Sequence, residues 1–106
     1  MSTGEHNTPL AFAWDPAKAV SNLRKHGVAF AQAATVLADP LALTVFDAAH
    51  STQEDRWFTL GLSRQRTLLA VAHTYVVDAT NRITVRIISA RPATSRERQQ
   101  YEHTPR

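Results

Sequence analysis

Two arginines interrupt an otherwise apolar stretch in the last quarter of the chain, Arg86-Ile87-Ile88-Ser89-Ala90-Arg91. A guanidinium keeps its charge at any physiological pH, so an arginine in a strand-like run needs an anion or water. Two readings are open. A phosphate suits the fork of an arginine, which grips it through two parallel charge-assisted hydrogen bonds. Alternatively, the arginines lie on a solvated edge or pair with Glu97 or Glu102. Ile83, Val85 and Ile87 share one strand face, which sends Arg86 to the other, while Arg91 stands where the strand ends and is less constrained. Upstream, Glu54 and Arg56 at i, i+2 would share one side of an extended strand, with the arginine orienting or neutralising the carboxylate. His26 titrates near neutrality, and a helix C-terminus favours its protonated form. A histidine aligned with Ala19 and Leu23 is, however, more often a structural hydrogen-bonder between helix and sheet.

Metal chemistry finds no support. His6, His26, His50, His73 and His103 show no His-x-x-x-His or comparable ligand spacing, and no acidic cluster completes a site. The sequence has no cysteine, which removes thiolate clusters, thiol nucleophiles and disulfides and suits a reducing cytoplasm. Its three glycines, Gly4, Gly27 and Gly61, are too scattered for a phosphate loop. No cofactor is expected.

Charge is unevenly distributed. Residues 1–63 carry four basic against six acidic side chains, a balance of −2, whereas residues 64–106 carry eight arginines against three acidic side chains, a balance of +5. The cationic half contains no lysine. Arginine is favoured where planar, bidentate contact with phosphate or carboxylate matters, so the bias points to nucleic acid or an acidic protein.

The elements that must position these groups follow from local pattern. With 106 residues, 43% of them hydrophobic, the chain suits one domain and no more. Residues 1–9 read as a disordered leader, 10–102 as the domain and 103–106 as a loose tail. No apolar run approaches the ~20 residues of a membrane helix. Leu10, Phe12 and Trp14 alternate as in a half-buried strand. Asp15-Pro16 supplies an N-cap and a first helical residue for a helix over Pro16–His26, ended by Gly27. Ala19, Leu23 and His26 form its inner side, and Lys18, Asn22 and Lys25 a polar stripe. Phe30, Ala33, Ala34 and Leu37 mark a second helix ending before Asp39-Pro40. Four strands follow over Leu41–Phe46, Trp57–Ser63, Thr67–Tyr75 and Ile83–Arg91, with connections short enough to make neighbours antiparallel. Trp57 alternates with Thr59, Gly61 and Ser63 on what is expected to be an open face. Thr94-Ser95-Arg96-Glu97 has capping-box spacing and opens a short last helix through Tyr101. The order is β-α-α-β-β-β-β-α.

Phe12-Ala13-Trp14-Asp15-Pro16-Ala17-Lys18, Asn22, Lys25-His26-Gly27-Val28-Ala29-Phe30, Glu54-Asp55-Arg56, Leu60-Gly61 and Arg86-Ile87-Ile88-Ser89-Ala90-Arg91 occur together and in one order. This pattern resembles the BrnT family of toxins from bacterial type II toxin–antitoxin systems. The resemblance implies an α+β, RelE-like fold, with two N-terminal helices packed on a curved antiparallel β-sheet and a short C-terminal helix. It also implies a cytoplasmic, metal-independent endoribonuclease that arrests translation. The implied partners are RNA and a BrnA-like antitoxin with a ribbon-helix-helix DNA-binding domain. Operator DNA is met only through the complex, in which a toxin homodimer is possible.

Cutting RNA without a metal requires a base for the 2′-hydroxyl, cations for the crowded phosphorane and a proton donor for the departing 5′-oxygen. The catalytic candidates are Lys25, His26, Glu54, Arg64, Arg91 and Tyr101, and the RNA-binding candidates are Arg56, Arg86 and Trp57. Lys25 equally suits a solvated helix face, and Tyr101 a packing role in a lid over the sheet. The competing function is a non-catalytic module whose basic surface docks an antitoxin and assists operator repression.

Overall fold

The computed structural model describes residues 10–105. Its elements are β1 (Ala11–Ala13), α1 (Pro16–His26), α2 (Phe30–Ala34), β2 (Leu43–Phe46), β3 (Trp57–Leu62), β4 (Leu68–Val77), β5 (Ile83–Pro92) and α3 (Ser95–His103). The expected leader lies outside the described residues, as does Arg106. Helix α2 tightens into a 3₁₀ turn over Thr35–Ala38, where the Thr35 hydroxyl donates to the Gln32 carbonyl at 2.6 Å.

The five strands form one sheet in the order β1-β5-β4-β3-β2. The pairs β2–β3, β3–β4 and β4–β5 are antiparallel, as their short connections require. The sheet is nonetheless mixed rather than antiparallel throughout, because β1 pairs parallel to β5. Nearly the whole domain separates these two strands, so connection length places no constraint on their direction.

The helices sit on both faces. Val28, Phe30, Ala33 and Val36 pack against Leu69, Val71, Val85, Ile87 and Ala90 beneath α1 and α2. On the opposite face, Tyr101 of α3 packs with Leu60, Leu68 and Ala70. Gly61 is required by the first layer: a Cβ there would meet Val36 Cγ1 at 3.0 Å and Ala42 Cβ at 3.1 Å.

Helix α1 has the expected ends. Asp15 accepts from the Ala17 amide at 3.0 Å, Pro16 occupies the first turn, and Gly27 takes a left-handed φ of 71°. Its inner face differs from the expected one. Leu23 is exposed and Asn22, expected in the polar stripe, is buried. The reason lies in the sheet. Strand β1 pairs with β5 only across Thr84–Arg86, so the outer edge of β5 at Ala90 lacks a strand partner. The Asn22 side-chain amide takes that place, donating to the Ala90 carbonyl at 2.8 Å and accepting from its N–H at 3.0 Å. It also donates to Val28 at 3.0 Å. A buried peptide group needs such partners, and a carboxamide offers the same donor and acceptor as a peptide.

Helix α3 begins with the expected capping box between Thr94 and Glu97 but runs to His103, two residues further than expected. Thr104 bonds back to Gln100, so the first part of the expected loose tail is ordered.

Candidate active site

Strand β5 carries the feature that organises the site. Opposite β4, Ala72 faces Ser89 and His73 faces Ile87, leaving Ile88 without a partner as a β-bulge. The buried positions of β5 are accordingly Val85, Ile87 and then Ala90. A strict two-residue period would put Arg91 on the buried face with Ile87. The extra residue instead brings Arg86 and Arg91 to the same side, the one covered in part by α3. Arg91 there lies 5.7 Å from the Phe58 ring centroid.

Arg91 forms a bidentate pair with Glu97, at 2.8 and 2.9 Å, and reaches the Pro92 carbonyl at 3.3 Å. This hydrogen bonding to Arg91 holds the Glu97 carboxyl at about 2, against 4.5 ordinarily, with the Thr94 amide adding to the effect and partial burial opposing it. The same bonds push the Arg91 guanidinium further up. Arg91 and Glu97 line a cleft of about 390 Å³ together with Phe46, Asp47, Phe58 and Gln100.

Arg86 meets Glu54 at 3.6 Å, with both side chains about half exposed. Glu54 was expected to share a strand side with Arg56, but it lies in a bend before β3 and its carboxylate turns to Arg86. Glu102 pairs with Arg98 at 3.8 Å, within α3. The connection carrying Glu54 is knotted by Ser51, whose hydroxyl donates to Asp47 at 2.6 Å and accepts from the Arg56 amide at 2.9 Å. In the same connection His50 Nδ1 lies 3.0 Å from Asp47. The three-residue spacing of Asp47 and His50 was the available signal for this couple, which sequence reasoning missed.

Register places three polar side chains in one row across the sheet. Thr74 is directly opposite Arg86, and Trp57 opposite His73, so Arg56 precedes Trp57 at the level of Thr74. Two atoms of this row, Arg56 Nε and Thr74 Oγ1, are buried without a hydrogen-bond partner. Thr74 also escaped sequence reasoning; its signal was a polar pair, His73-Thr74, inside an apolar strand. Next to it, on the other face, His73 Nε2 is 2.7 Å from the Thr59 hydroxyl, which is 2.8 Å from that of Thr44. Burial pushes His73 down from 6.5 to about 4.

The remaining candidates are dispersed. Lys25 and His26 end α1 in the layer over the opposite face, Lys25 exposed and His26 half-buried. Arg64 stands with Arg66 at a second cleft, of about 610 Å³, beside Phe12, Leu37 and Pro40. The Tyr101 hydroxyl donates to Asp39 at 2.6 Å, and Asp39 also accepts from the amides of Leu41 at 2.9 Å and Leu62 at 2.8 Å. Trp57 does not lie on an open face: its neighbours Thr59 and Gly61 are buried beneath the helices. It sits half-buried at the end of that face, with ring centroids 5.1 Å from Phe46 and 5.9 Å from Tyr75. Among the described residues no group of three or more histidine, aspartate or glutamate side chains is placed to hold a metal ion. Nor, among them, is any helix long and apolar enough to cross a membrane.

A family model described as "Ribonuclease toxin, BrnT, of type II toxin-antitoxin system" matches residues 14–97. The chain belongs to the BrnT family. The matched span runs from Trp14 to Glu97 and includes the bulged strand, both of its arginines and the Glu54–Arg56 connection. BrnT membership makes the chain a ribonuclease toxin by family and implies an antitoxin partner. The fold is similar to that of the Brucella abortus ribonuclease toxin BrnT, a 1.1 Å crystal structure, with a TM-score of 0.55 and 22% identity over 82% of this chain and 100% of that one. No curated protein sequence matches the chain.

Proposed function

We propose that the protein is a metal-independent endoribonuclease that arrests translation and is neutralised by a BrnA-like antitoxin. The observation that carries this reading is the Ile88 bulge, which sets Arg86 and Arg91 on one face, Arg86 beside the exposed carboxylate of Glu54. In the proposed reaction Arg86 and Arg56 hold the phosphate. Glu54 takes the proton of the adjacent 2′-hydroxyl, whose oxygen attacks phosphorus. The 5′-oxygen departs with a proton from His50, which Asp47 orients, and a 2′,3′-cyclic phosphate remains. Arg91, tied to Glu97, holds the wall of the cleft, and Tyr101 holds α3 in place. Lys25, His26 and Arg64 lie on other surfaces and take no step in this scheme.

The test is incubation of the purified protein with single-stranded RNA in excess EDTA. Cleavage with 2′,3′-cyclic phosphate ends is expected, and His50→Ala should lower kcat by roughly a hundredfold or more. Intact RNA, from protein shown folded by circular dichroism, overturns the enzymatic reading. The competing reading is a non-catalytic module that docks an antitoxin, and it draws on the pairing of both Arg86 and Arg91 with carboxylates. Uncut RNA together with tight antitoxin binding would establish it.

A further inference from the structure

Buried polar atoms in folded proteins are almost always hydrogen-bonded, and those left alone mark a site awaiting a partner often enough to demand an explanation. Two such atoms, the Thr74 hydroxyl in β4 and Arg56 Nε just before β3, stand at the same level of one face. The next position in the row is Arg86. All three offer hydrogen-bond donors, and two carry fixed positive charge. Thr74 has no exposed surface at all. Glu54, two residues before Arg56 in the chain, meets Arg86 on the far side of β4 at 3.6 Å.

We infer that Thr74, Arg56 and Arg86 form a seat for a single RNA phosphate, which the Glu54 carboxylate roofs until substrate displaces it. The inference rests on the proposed ribonuclease reading for the identity of the anion and adds Thr74 as a substrate-touching residue. A phosphate oxygen supplies the acceptor that Arg56 Nε and the Thr74 hydroxyl lack. Opening costs little, because the Glu54–Arg86 contact at 3.6 Å is too long for a hydrogen bond and is screened by water at both ends. Once parted from Arg86, the Glu54 carboxylate stands beside the nucleotide that displaced it. The resting protein thus keeps its base turned to Arg86, and the phosphate to be cut takes that place.

The test uses a dinucleoside monophosphate whose attacking 2′-hydroxyl is replaced by hydrogen, titrated into the full chain labelled with ¹⁵N-arginine. The Arg56 Nε–H resonance, assigned by its loss in Arg56→Lys, should move on binding. Thr74→Val should weaken affinity about tenfold while the melting temperature holds or rises, since it removes a buried hydroxyl without a partner. Glu54→Gln should tighten binding several-fold by loosening the roof while slowing cleavage of ordinary RNA. Arg86→Ala should weaken affinity, whereas Arg24→Ala, which removes the same charge from α1, should leave it as it was. Wild-type affinity in Thr74→Val, or a stationary Arg56 resonance, overturns the seat. Weaker binding by Glu54→Gln overturns the roof, and an Arg24→Ala loss equal to that of Arg86→Ala reduces the site to general charge attraction. Binding with these signatures but no cleavage of RNA would sink the ribonuclease reading alone. Cleavage indifferent to Thr74→Val would sink the seat alone.

Discussion

Arg86 and Arg91 belong to one strand and one face, yet their partners give them different tasks. Arg91 is held by two short bonds to a carboxylate that also caps α3, so Arg91→Ala should cost about 1–2 kcal/mol and lower the melting temperature. Arg86 makes one long contact in water, so Arg86→Ala should change stability by less than about 0.5 kcal/mol while abolishing toxicity. Melting curves beside growth assays separate the two, and equal losses of stability would place Arg86 in the framework. His73 sets a pH dependence of its own. The buried ring titrates at about 4 when folded and near 6.5 when unfolded, so the unfolded chain binds the proton first. Its stabilising effect is complete above pH 6.5 and is lost as pH falls through 4, roughly 3 kcal/mol in all. Glu97 acts in the next window down, losing its contribution between about 4.5 and 2. Urea unfolding followed from pH 7 to 4 should therefore show falling stability, and His73→Gln should flatten the slope. A slope unchanged in His73→Gln would assign the acid lability elsewhere.

Elements whose signals are local were legible from the chain. Asp15-Pro16 and Gly27 bound α1, Thr94 and Glu97 open α3, and β-branched runs mark the four long strands, because caps and alternation depend on neighbours a few residues away. The parts of the site that escaped depend on contacts distant in sequence. Nothing near Asn22 announces that it completes the edge of β5, and nothing near Ile88 announces that it has no partner across the ladder. The same holds for Glu54, whose nearest cation in sequence is Arg56 but whose contact in space is Arg86. Gly61 was legible as part of a motif and not as a packing constraint. Gly61→Ala should destabilise by about 1–3 kcal/mol, since the new methyl must displace Val36 and Ala42 in a close-packed layer. Chemical denaturation checks this, and a neutral result would mean that the 3₁₀ turn yields at no cost.

At the scale of the whole molecule, the cationic half of the chain supplies β4, β5 and α3, and with them the arginine face. A basic surface that attracts RNA also attracts acidic protein, so direct coverage of this face is the expected mode of neutralisation. The antitoxin complex should weaken as salt is raised, and Arg86 should lose its reactivity toward an arginine-specific reagent on binding. An inactive complex in which Arg86 reacts as in the free toxin would point to inhibition from another surface, such as the apolar cleft beside Arg64 and Arg66.

Glu97 Oε1 accepts from the Thr94 amide and from Arg91 at once, so the first turn of α3 and the aim of Arg91 share one oxygen. The consequence is one of timing. Helix ends open and reclose far faster than a domain unfolds. Each opening of this end releases the guanidinium for as long as the turn stays unwound, which makes the fraying rate of α3 the clock for Arg91. Relaxation of the Thr94 amide and of Arg91 Nε should then report one common exchange rate, and an antitoxin that clamps α3 would stop both motions together.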